Sequence, residues 1–104
     1  MLWQPFQNIW GRICQLQGQE FKTKKDLPFT YSVESGTTVW VEREGNRINQ
    51  SLAKSNFTQV YSMMMENGPI VGPGKLEDLA KQRGESQVRG PSYVWAILHD
   101  KRIT

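Results

Sequence analysis

One cysteine, Cys14, and one histidine, His99, are all that this chain of 104 residues holds of either type. The single thiol excludes an internal disulfide framework and any zinc site built from four cysteines, or from two cysteines and two histidines, within one chain. The single imidazole excludes a three-histidine metal site and a helix that presents two histidine ligands. No apolar run approaches the roughly 20 residues that cross a bilayer, so no membrane partner is expected. The opening Met1-Leu2-Trp3-Gln4-Pro5 has neither the basic nor the apolar stretch that marks a signal peptide. With a free thiol and no export signal, a reducing cytoplasm is the expected location. Hydrophobic residues make up 38% and charged residues 22%, which is globular rather than disordered composition. The length suits one small domain over 1–104 with one modest core.

What is present in excess is positive charge. Thirteen Lys and Arg against ten Asp and Glu give a net charge of +3 and a pI of about 9.2. Such a pI is one mark of nucleic-acid binding, provided that the cations gather. Lys22, Lys24 and Lys25 lie close together, diluted by Glu20 and Asp26, and Arg43 and Arg47 flank Glu42 and Glu44. Two readings stay open. The charges form a solvated surface of mixed sign, or folding gathers these five cations on one side.

The pattern of apolar residues indicates an α+β fold. Phe6, Ile9, Trp10 and Ile13 recur at helical spacing, which predicts a helix over 5–17, with Pro5 at its first position and Gly18 just past its end. Phe29, Tyr31 and Val33 then alternate with polar residues, as do Val39 and Val41, around the turn signal Glu34-Ser35-Gly36-Thr37. A three-residue loop pairs Tyr31 with Val39 or Val41 and keeps all five apolar residues on one face, with Gly36 at positive φ. A two-residue loop would set Glu42 beside Phe29. A short strand over 20–23 leads into this hairpin and another over 47–49 follows it, and the sheet is expected as a small antiparallel hairpin or three-stranded meander packed against the helices. Helices are expected over 55–66, with Ser55 as N-cap, over 75–83 and over 92–100. Gly74-Lys75 is followed by Leu76, and the nearby glycines and prolines are wrongly spaced for a phosphate-cradling loop.

Catalytic groups are sparse. His99 falls in the last turn of a helix, where the dipole favours its protonated form. Cys14 lies beside an apolar stripe and reads as a small buried hydrophobe, and Met63-Met64-Met65 reads as adaptable core filling. Glu42 and Glu44 could serve a nuclease, but no Lys stands at the usual spacing, so no catalytic residue and no cofactor or metal is assigned. Trp40 is the informative residue. If the alternating apolar set faces the core, Trp40 stands on the opposite face among Thr30, Ser32 and Thr38, where an aromatic beside cations can stack bases. The competing reading covers that face with a helix or a second subunit.

Two further stretches, Phe21-Lys22-Thr23-Lys24-Lys25-Asp26-Leu27-Pro28-Phe29-Thr30-Tyr31 and Gly90-Pro91-Ser92-Tyr93-Val94-Trp95-Ala96-Ile97-Leu98-His99-Asp100-Lys101-Arg102-Ile103, together resemble a small uncharacterised bacterial domain met on mobile gene cassettes and near DNA-processing systems. That resemblance implies a prokaryotic, nucleic-acid-related role and no activity or ligand residues. The expected function is a non-enzymatic nucleic-acid-binding or DNA-associated regulatory module, with Lys22, Lys24, Lys25, Arg43 and Arg47 on phosphates and Trp40 stacking. The partner is then DNA or RNA. The alternative is a protein-interaction or homo-oligomeric module.

Overall fold

The alternation around Ser35-Gly36 folds as a hairpin. In the computed structural model, which describes residues 4–104, β1 (Phe21–Lys22), β2 (Pro28–Glu34), β3 (Thr38–Arg43) and β4 (Asn46–Ala53) form one antiparallel sheet in chain order. Four helices follow the expected α+β plan: α1 (Phe6–Gln15) precedes the sheet, and α2 (Lys54–Asn67), α3 (Pro73–Arg83) and α4 (Pro91–Leu98) follow it. The first three residues of the segment read as lacking a signal peptide lie outside the described residues. No helix among the described residues is long and apolar enough to cross a membrane.

The hairpin has the three-residue loop that packing requires. Glu34 pairs with Thr38, Val33 with Val39 and Tyr31 with Val41. Ser35 and Gly36 both adopt positive φ, 54° and 68°, and the Thr37 N–H closes the turn onto the Glu34 carbonyl at 3.1 Å. Phe29, Tyr31, Val39, Val41 and Leu52 of the sheet are buried against Ile9, Ile13, Phe57, Val60 and Ile97 of the helices. Val33, near the end of β2, is only half-buried. Two aromatic groups fill the layer. Trp10 meets Phe57 edge-on at 5.6 Å, and Phe21 lies 5.3 Å from Tyr31.

Polar groups fix α1 to the sheet. The buried Tyr31 hydroxyl donates to the Ile13 carbonyl, and Trp10 Nε1 donates to the Gly36 carbonyl at 3.1 Å. The free edge of β2 beyond β1 is closed in the same way. The N–H of Gly18, at φ 85°, donates to Tyr31 O at 2.8 Å, and Gln17 Oε1 accepts from the Val33 N–H at 3.0 Å.

Several element boundaries differ from the expected ones. Pro5 is the N-cap of α1 rather than its first residue, and the helix ends at Gln15. β4 runs for eight residues instead of three, with an irregularity opposite the Trp40–Glu42 step. Ala53, not Ser55, is the N-cap of α2, because the chain passes from β4 into the helix with no intervening loop. Helix α3 starts at Pro73, and α4 spans Pro91–Leu98. In both, a proline fits the first turn, where an N–H has no partner to lose. Met63 and Met64 fill the core, while Met65 is 47% exposed.

Two substitutions test this arrangement together. Phe29 is only 2% exposed, so Phe29→Ala is expected to cost about 3–5 kcal/mol in chemical denaturation. Ser55→Ala, inside the first turn and exposed, is expected to change stability by less than about 0.5 kcal/mol. A loss near 1 kcal/mol at Ser55 would restore it as the cap.

Candidate nucleic-acid interface

Side chains of β3 alternate between the two sides of the sheet. Val39, Val41 and Arg43 share the helix side with Phe29 and Tyr31, whereas Thr38, Trp40 and Glu42 share the other side with Thr30 and Ser32. On that open side Trp40 is half-buried, directly across from Ser32 of β2 and Ser51 of β4. Its Nε1 donates to Glu34 Oε2 at 2.7 Å, and the Arg47 guanidinium lies 4.7 Å from the centre of its rings, a cation–π contact. The irregular stretch of β4 opens a shallow hollow of about 520 Å3 beside Trp40, walled by Ile48, Gln50, Ser51 and Arg89. Arg89 comes from the loop between α3 and α4, so strand periodicity gives no signal for it.

The remaining cations lie elsewhere. Lys22 pairs with Asp26 at 3.8 Å. Lys24 and Lys25, from the loop after β1, and Arg43, at the end of β3, line a second concavity of about 280 Å3 with Thr23, Ser92 and Tyr93. Lys24 Nζ donates to the Val71 carbonyl at 2.6 Å. Gly72 leaves room for it, since a Cβ there would stand 2.7 Å from Nζ. Arg43 Nη1 lies 3.5 Å from the Tyr93 hydroxyl, and the Tyr93 ring meets Phe29 edge-on at 5.1 Å. Among the described residues, no carboxylate comes within 4.0 Å of Lys24, Lys25 or Arg43.

The five cations named from the sequence therefore divide. Three line this concavity, Arg47 stands on the open face beside Trp40, and Lys22 is ion-paired. Strand parity foretells the separation of Arg43 from Trp40. The contribution of Ser92 and Tyr93 depends on a helix that arrives late in the chain. A third hollow, of about 290 Å3, holds Glu20, Glu42 and Glu44 on its lining. Among the described residues no three His, Cys, Asp or Glu side chains are grouped to hold a metal ion.

His99 departs from the helix-dipole expectation. Its Nε2 accepts the Ile70 N–H at 2.9 Å and its Nδ1 lies 2.9 Å from the Trp95 carbonyl. An acceptor Nε2 and a donor Nδ1–H define the neutral ring. Burial lowers its pKa, against a smaller upward pull from the Trp95 carbonyl. The ring also stacks on Trp95 at 4.9 Å, and Trp95 Nε1 donates to Ile70 O at 2.8 Å. Both backbone groups of Ile70 are thus held by side chains of α4 or its C-cap. Cys14 is half-buried, and burial raises its thiol pKa while Lys54 lowers it, so little thiolate forms.

No known protein family, no curated protein and no solved structure matches the chain. The functional reading rests on the geometry above.

The His99 clasp has a pH signature. Because the folded pKa lies below the ordinary value of 6.5, the unfolded chain takes up the proton first as pH falls. The stability His99 contributes is complete above pH 6.5 and is lost as pH drops through the folded value. Thermal unfolding is expected to show a fall in melting temperature from pH 7.5 toward about 5.5, and His99→Gln to flatten it. An unchanged profile in the variant would contradict the clasp.

Proposed function

We propose that the protein binds single-stranded nucleic acid on the open face of its sheet, with Trp40 as the stacking surface and Arg47 and Arg89 on the phosphates. The observation that carries this reading is Trp40 itself. It is an aromatic ring half-exposed on a polar strand face, beside a hollow that also receives Arg89, with Arg47 against its ring. Every base has a face that such a ring accepts, so stacking binds single strands with little sequence preference. Gln50 and Ser51 on the same wall carry hydrogen-bonding groups suited to base edges. The same face carries Glu34 and Glu42, the latter directly across from Arg47. Its field is therefore weak, and stacking rather than charge supplies most of the affinity.

Labelled oligothymidine, titrated by fluorescence anisotropy at several salt concentrations, tests it. With two phosphate contacts, log K is expected to fall against log salt with a slope of about −1.4, and Arg89→Ala to flatten that slope by about 0.7. Trp40→Ala is expected to cost about 1–3 kcal/mol at every salt concentration and to leave the slope unchanged. Absence of binding at low salt, with a dimer in analytical ultracentrifugation that Trp40→Ala dissociates, would overturn this reading in favour of self-association through the same face.

A further inference from the structure

We propose that the concavity lined by Lys24, Lys25 and Arg43 is a binding site for a phosphomonoester, independent of the open sheet face. The argument is the inventory of its polar groups. Lys24 gives one N–H to the Val71 carbonyl and has two left. Lys25 is exposed, and among the described residues neither it nor Arg43 has a carboxylate within 4.0 Å. Thr23 Oγ1 accepts the Leu27 N–H at 3.2 Å, which leaves its own hydrogen to donate. The Tyr93 hydroxyl faces Arg43 and likewise keeps its hydrogen, and Ser92, half-buried on the same wall, makes no hydrogen bond through its hydroxyl among the described residues. The hollow is thus ringed by donors and positive charge, with no carboxylate side chain on its lining. Like charges gathered in one concavity repel, and an acceptor-rich dianion removes that cost.

Size and charge narrow the ligand. A volume of about 280 Å3 lies at the lower edge of small-molecule pockets, roughly 300–1,000 Å3. It admits a phosphate head with a small body, for which Leu27 and Pro73 offer apolar wall. A phosphomonoester carries up to two negative charges and three terminal oxygens at neutral pH. An internal phosphodiester carries one charge and is flanked on both sides by its own chain. The terminal group matches three cations better. It can belong to a small metabolite or to the end of a nucleic-acid strand.

Isothermal titration calorimetry of the intact chain with phenyl phosphate, and with phenyl sulfate as a monoanion of the same shape, tests the site. One saturable site is expected, with phosphate preferred about tenfold or more over sulfate. Arg43→Gln and Lys25→Gln are each expected to weaken phenyl phosphate about tenfold, and Arg47→Gln to leave it unchanged. Lys25 is exposed, so its variant folds even if loss of Arg43 disturbs the sheet. Trp40→Ala is also expected to bind phenyl phosphate normally, which separates this site from the open face. Short oligothymidines with a 5′-phosphate or a 5′-hydroxyl identify the source. A preference for the phosphorylated strand that Arg43→Gln removes assigns the site to strand ends. Equal binding of the two strands, with phenyl phosphate still bound, assigns it to a small molecule. No saturable heat with phenyl phosphate up to about 10 mM, equal binding of sulfate, or wild-type affinity in Lys25→Gln would overturn the proposal.

Discussion

The three-residue turn between β2 and β3 sets the side on which every residue of the hairpin emerges. Because strand side chains alternate with a period of two, a slip of one residue on either strand exchanges its two faces. With Glu34 paired to Thr38, the register sends Phe29, Tyr31, Val39 and Val41 into the core and leaves Trp40 outside. Ser35 and Gly36 accept the positive φ values that the turn demands, and Trp10 fastens α1 to the turn through the Gly36 carbonyl. The same parity separates Arg43 from Trp40. Both candidate sites therefore depend on a register that hydrophobic burial enforces.

The helix layer is held on that sheet by polar contacts at its margins. Tyr31 reaches through the core to the Ile13 carbonyl, and burial keeps its hydroxyl protonated well beyond the ordinary tyrosine range. The irregular stretch between α2 and α3 has no ladder to satisfy its backbone. His99 and Trp95 supply the partners for Ile70, and Lys24 takes the Val71 carbonyl. Val71 itself projects at 76% exposure, so this loop is held by its backbone groups and by the buried Ile70 side chain, not by every apolar residue it carries. Such satisfaction is what a Gly- and Pro-rich segment requires if it is to stay ordered against a core.

What the sequence makes legible follows from period and punctuation. The hairpin is legible because alternation and the turn residues agree, and α1 because its stripe is narrow and regular. β4 is not, because Asn46–Ala53 interrupts its alternation with a bulge. The cap of α2 is misread because strand and helix abut, so Ser55 has no loop to terminate. Pro73 starts a helix where glycine-rich surroundings suggest only loop, whereas Pro91 starts α4 one residue before the expected position. The neutral state of His99 cannot be read locally, since the N–H that fixes it belongs to Ile70, 29 residues away. For the sites, parity places Trp40 correctly and would separate Arg43 from it. The meeting of Arg43 with Lys24, Lys25 and Tyr93 depends on tertiary packing.

Net charge is a coarse guide to such sites because cations serve two different ends. Arg83 binds Ser62 and Glu85 and lies 3.5 Å from Glu66, tying α3 to α2. Arg102 pairs with Asp100, covers the Phe21 ring at 4.2 Å and donates to the Glu20 carbonyl, and Arg12 donates to Ile103 O at 2.8 Å. These guanidiniums close the fold, and their charge is spent on neighbours. Lys24, Lys25, Arg43, Arg47 and Arg89 have no carboxylate within ion-pair reach among the described residues. Arg12, Lys54, Lys75, Lys81 and Lys101 have none either, but it is the first five that line the two candidate sites. The fold divides them between a flat aromatic surface and a small donor-lined hollow. A stacked base suits the first because its binding is mostly apolar contact. A dianionic head suits the second because no carboxylate on its lining competes with it for the donors.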